Sequence, residues 1–206
     1  SAAYPDGPGL NIPVNMSVAF HSDAGCHPTD ELVGTFMFYT LYDDDKETTY
    51  PAGGDRICNR DYADYIQTQI VEDIRQTMMP TWQKRHLMHQ SMSETRNPKV
   101  PSTIIELLSH HNYYDMTFGL DPKFKFIASR AIYKGMLRFI HQTTGTPYVV
   151  QPLPVQQMNI SYANNDSLHI TWAERVDRLE PTATPTYYII YTRTSQLRDG
   201  QWQTSD

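Results

Sequence analysis

This sequence holds two cysteines, Cys26 and Cys58, in 206 residues. Two cysteines cannot build a disulfide framework or a cysteine-only zinc site. A single Cys26–Cys58 bridge in an exported protein stays open beside two free thiols in small pockets, because connectivity is not readable from spacing. Positive charge is also scarce. A formal charge of -6 with no clustered Lys and Arg argues against a nucleic-acid footprint. No apolar run approaches the roughly 18 residues that a membrane span needs. No cleavable leader is visible at the start, where residues 1–13 are rich in Gly and Pro and read as loop. The chain is therefore expected to be an internal window of a longer protein, or to begin after processing. With 39% hydrophobic and 12% aromatic residues it can still bury a core.

Two apolar runs end on chemistry. A strand over about Val14 to Phe20 delivers His21 to a polar turn, and a strand over Thr103 to Leu107 carries Glu106 towards His110 and His111. Ligands and catalysis gather outside the carboxyl ends of strands in open α/β sheets. A His and a Glu delivered there suggest a metal ligand and a general base. Charged residues are rarely buried without a partner, so a Glu inside Ile104-Ile105-Glu106-Leu107-Leu108 needs a reason. The bland alternatives are a His21 satisfied by a backbone hydrogen bond and a Glu106 paired with Arg96 or a Lys.

The remaining pattern is α/β. A strand is expected over Val33 to Leu41, followed by an acidic, Gly-rich loop over Tyr42 to Arg56. A helix capped by Asn59 or Asp61 should run to about Met79, with Tyr62, Ile66, Ile70, Ile74 and Met78 on one stripe. Trp82 to Asn97, with His86 and His89, reads as a short helix or strand and then a loop, both histidines at the surface. Asp121-Pro122 starts a helix over Lys123 to Gln142, and Thr143 to Pro147 stops it. Gln151-Pro152-Leu153-Pro154 reads as a linker. Beyond it the apolar period becomes two, in Leu168-Ile170-Trp172 and Tyr187-Ile189-Tyr191, which predicts strands, with Trp172 anchoring a small core. The fold class expected is a partial doubly wound sheet with flanking helices over residues 1–147, plus a small, sandwich-like all-β module over 152–206 that is short for a complete sandwich.

Several blocks together resemble a known family. Val18-Ala19-Phe20-His21-Ser22-Asp23-Ala24-Gly25, followed by Val33-Gly34-Thr35-Phe36-Met37-Phe38-Tyr39, resembles the later half of the zinc-dependent N-acetylmuramoyl-L-alanine amidases. Pro101 to Ser109 resembles the family's strand bearing its catalytic Glu, and Asn112 to Met116 with the following helix resembles its closing segment. The blocks agree in order and spacing over residues 14–142. The resemblance implies hydrolysis of the muramoyl-alanine amide of peptidoglycan by an exported bacterial protein, at the periplasm, the cell surface or outside the cell. It implies that His21 binds Zn2+ and that Glu106 passes a proton from water to the leaving amine. The family takes two more ligands, a His and a Glu, from an earlier half that opens with an Asp-x-Gly-His-Gly motif, and that motif is missing here. Asp23, Cys26, His27, His110 and His111 are local substitutes to weigh, and Arg96, His110 and His111 are candidate substrate contacts. The tail from Pro154 resembles a fibronectin type III module without its later strands. Two other readings stand beside the amidase: a polysaccharide-active enzyme of the xanthan lyase kind, and a non-catalytic wall- or glycan-binding module.

Overall fold

A computed structural model describes residues 12–25, 31–164 and 167–191, together with the backbone of 195–198 and 201–204. The chain divides into two compact units, Ser1–Tyr148 and Val149–Asp206.

The first unit is mixed α/β. Its strands are β1 (Ser17–Asp23), β2 (Thr35–Tyr39), β3 (Lys84–His89) and β4 (Ser102–Ser109), in the order β1-β4-β2-β3. β4 runs parallel to β1 and antiparallel to β2, and β2 runs parallel to β3. The sheet is thus mixed rather than uniformly parallel. The carboxyl ends of β1 and β4 share a sheet end with the amino ends of β2 and β3.

Helix α1 (Cys58–Thr77) buries Tyr62, Ile66, Ile70 and Ile74 completely. This is the stripe that the step of four predicts. Each such isoleucine contributes roughly 1.5–3 kcal/mol by leaving water. It packs with Met37, Ile105 and Leu107 of the sheet. The expected cap differs. No side chain caps α1, and Asn59 instead turns into the core. There its carboxamide accepts from Tyr50 Oη and Ser102 N and donates to Thr40 O, tying the loop to β4. A buried amide is more strongly held by these fixed partners than by a solvated cap.

β3, one of the two forms expected for its segment, is an edge strand, and a short helix α2 (Ser93–Arg96) follows it where a loop was expected. Helix α3 (Tyr113–Leu120) is capped by Asn112, whose side chain accepts from Asp115 N at 2.8 Å. Helix α4 (Pro122–Thr144) starts on Asp121, which accepts from Lys123 N, and stops on Gly145 in the left-handed region. α1 and α4 meet through a buried ion pair, Lys134 Nζ to Asp73 Oδ2 at 2.7 Å, with Gln69 donating to the same carboxylate.

In the second unit, β5 (Gln156–Asn164) and β6 (Ser167–Ala173) form an antiparallel hairpin, and β7 (Ser195–Arg198) and β8 (Gln201–Thr204) form another. Tyr187–Tyr191, expected as a strand from its alternation, is not one. These residues are exposed, and no strand among the described residues pairs with them. Alternation without a ladder partner does not hold an extended segment. Trp172 is partly buried, with its ring 5.4 Å from Tyr188. Cys58 is a free thiol, and Cys26 lies outside the described residues.

The α1–α4 contact yields a prediction. A Cβ on Gly135 would meet the Ile66 Cα at 2.7 Å and the Tyr65 carbonyl oxygen at 3.1 Å. Gly135→Ala should therefore lower unfolding free energy in urea by about 1–3 kcal/mol through overpacking. At an unconstrained helix position the same change would add about 1 kcal/mol.

Candidate functional site

β-Pairing builds the site. His21 of β1 and Phe36 of β2 are both Cα partners of Glu106. Residues in register share a face of the sheet, so His21, Glu106 and Phe36 form one row. The opposite face, with Met37 and Ile105, packs on α1. His21 and Glu106 therefore lie within their strands rather than just past them, because the parallel ladder continues through both.

Glu106 is half-buried, and its Oε2 is buried with no hydrogen-bond partner among the described residues. Burial pushes its carboxyl above the ordinary value of 4.5. His21, Arg85 and His110 counteract that rise, and Asp23 adds to it. The carboxyl thus faces several charged or titratable groups while one oxygen keeps an unused lone-pair side.

The neighbours are paired with one another. His21 Nε2 is hydrogen-bonded to Glu94 Oε1 of α2 at 2.9 Å. Ser22 Oγ meets His110 Nδ1 at 2.9 Å. Arg85 Nη1 donates to Asp23 Oδ2 at 2.6 Å, and its guanidinium lies 4.6 Å from the centroid of the Phe36 ring. An open groove of about 780 Å3 reaches Glu94 and is also lined by Ser17, Ala19, Ser93, Asn97 and Lys99, whereas His21, Ser22 and His110 line a separate cavity of about 410 Å3.

The structure brings His21, Asp23, Glu106 and His110 together. It does not bring in Arg96, whose guanidinium is paired with Asp44 and donates to Ser91 Oγ. His111 is exposed, with its ring against that of His110. His86 and His89 are exposed on β3, His86 against Phe36 and His89 stacked on Tyr39. Cys26 and His27 lie outside the described residues. Sequence reasoning missed Arg85 and Glu94. The available signal was the segment Lys84–His89 as a strand, which would have placed Arg85 beside the aromatic strand β2.

A catalytic zinc takes three protein ligands and a water. Among the described residues no three His, Cys, Asp or Glu side chains converge to hold a metal ion. They do not make a complete zinc site by themselves.

No protein-family model matches the chain, and no curated protein matches it. Among solved structures it is similar to the CwlD amidase from Clostridioides difficile in complex with the GerS lipoprotein. The identity there is 18%, over 64% of this chain and 57% of that one, with a TM-score of 0.45. It is also similar to the N-acetylmuramyl-L-alanine amidase Ami1 from Mycobacterium smegmatis, at 16% identity over 63% of this chain and 55% of that one, TM-score 0.47. A third is the N-acetylmuramoyl-L-alanine amidase AmiC2 of Nostoc punctiforme, at 15% identity over 61% and 57%, TM-score 0.44. The chain spans a little over half the length of these structures.

The raised Glu106 carboxyl has a pH signature. The fold favours the protonated form, so an ionised Glu106 costs stability. That cost is absent below the unfolded-state value of 4.5 and is complete above the raised folded-state value. Glu106→Gln should therefore stabilise the fold near pH 7, and the gain should vanish below about pH 4. Urea unfolding of both proteins at the two pH values checks this.

Proposed function

We propose that this chain carries part of a site for amide hydrolysis, acting on the bond between N-acetylmuramic acid and L-alanine in peptidoglycan. The observation that carries the reading is the buried, unpartnered Oε2 of Glu106, in register with His21. A carboxylate with an unused lone pair and a raised pKa is suited to take a proton from water at neutral pH and deliver it to a leaving amine. The motif resemblance around His21 and Glu106 supports the same assignment. In this reading His21 is one ligand of a Zn2+ ion whose remaining ligands come from residues outside those described. When bound, zinc would polarise the amide carbonyl. Glu94 holds the His21 ring, and the groove that reaches Glu94 gives room for a glycopeptide.

A wall substrate places the protein outside the cytoplasmic membrane, at the surface, in the periplasm or beyond. No helix of the described residues is long and apolar enough to cross a membrane. The second unit is proposed as a fibronectin type III-like spacer or binding module, a reading supported by its β5–β6 hairpin. The lack of a three-donor cluster among the described residues favours one competing reading, a non-catalytic wall-binding module on the same fold.

One assay separates the two. In the full-length protein, Glu106→Gln should lower kcat for muramoyl-alanine cleavage about 10²–10⁴-fold with little change in KM. His21→Ala should remove bound zinc, read by elemental analysis. Unchanged cleavage by Glu106→Gln would make the base assignment wrong, and full zinc occupancy in His21→Ala would do the same for the ligand.

A further inference from the structure

Arg85 is the permanently charged cation among the groups around Glu106. It enters from β3, where the pairing of β2 with β3 shifts register between Thr35 and Met37. Its guanidinium lies over the Phe36 ring, and Phe36 is the Cα partner of Glu106. An aromatic face holds a planar guanidinium in place without consuming its N–H donors. The side chain is 24% exposed, so the cation is neither buried in the core nor free in solvent.

Arginine has five N–H donors in a fixed fork. Asp23 takes one contact, at 2.6 Å. No other acceptor among the described residues is hydrogen-bonded to this side chain. Asp23 is itself braced, accepting from Gly25 N at 2.6 Å. The guanidinium is thus fixed by a cation–π contact and a single carboxylate, with N–H donors left over. A preorganised fork of this kind matches a carboxylate in two parallel hydrogen bonds.

We propose that Arg85 binds a carboxylate of the substrate beside Glu106, so that the site selects acidic peptides over their amidated forms. This rests on the peptidoglycan reading above and narrows its substrate class. Lysine would serve poorly, because a point charge lacks both the flat face that lies on Phe36 and the two-pronged geometry. The contact sets affinity rather than the chemical step.

The test uses N-acetylmuramoyl-L-alanyl-D-isoglutamine and its counterpart with the carboxylate converted to carboxamide. Binding of each to the chain is followed by calorimetry. The wild type should bind the carboxylate probe about 10- to 100-fold more tightly, the range for charge-assisted hydrogen bonds. Arg85→Gln should abolish that preference while leaving carboxamide affinity unchanged, and Arg85→Lys should restore it in part. Circular dichroism of each variant checks the fold. Equal binding of both probes by the wild type overturns the proposal, as does equal weakening of both by Arg85→Gln, and so does failure of the carboxylate probe to bind. The Glu106→Gln turnover assay is independent of these results. Turnover that depends on Glu106, without any carboxylate preference, sinks Arg85 alone, whereas turnover indifferent to Glu106 sinks the functional reading itself.

Discussion

The buried carboxylate of Asp115 holds together the elements on which the site depends. It accepts from the backbone N–H groups of Val33, Gly34 and Ser109. Val33 and Gly34 lead into β2, and Ser109 ends β4. One side chain therefore fixes the β2–β4 register, and with it the placement of Phe36 beside Glu106. A carboxylate accepting several backbone donors inside a protein is strongly held, because each N–H would otherwise be buried unsatisfied. Asn112 completes the arrangement by capping α3 and donating to Glu31 O. Thr35 adds a second tie, donating to Leu107 O while accepting from Trp82 Nε1.

Within β4, Glu106 stands out. Neighbouring polar groups in β4 are paired: Ser102 donates to Thr95 O, Thr103 to Phe38 O and Ser109 to Asp23 O. Glu106 keeps a buried oxygen without a partner. A central strand would be more stable with an apolar residue there, so the carboxyl represents a local sacrifice of stability. The charged and titratable residues around it are arranged as pairs, His21 with Glu94 and Arg85 with Asp23. Those pairs orient side chains at the sheet surface while leaving Glu106 unneutralised by direct contact.

The long helices were legible because their signals are local. The four-residue step of Tyr62, Ile66, Ile70 and Ile74 and the Asp121-Pro122 start each lie within one element. His21 and Glu106 were legible as polar residues set in apolar strands, and pairing puts them in register. β3 was ambiguous because Lys84–His89 mixes exposed and half-buried positions at an edge. α3 was invisible because its eight residues bury little besides Asp115. Tyr187–Tyr191 alternates as a strand should, yet it has no ladder partner among the described residues, and extended structure needs one.

The sequence by itself determined the α/β class, the buried stripe of α1, the start of α4, and the identity of His21 and Glu106 as the residues to watch. These follow from periodicity and from the cost of burying charge, which any short window displays. Only the tertiary structure decided that β2 runs against β4, that His21 and Glu106 stand in register, and that Arg85 and Glu94 join them while Arg96 turns away to Asp44. Those outcomes depend on pairings between residues more than ten positions apart, and no local pattern encodes which strand a side chain will meet.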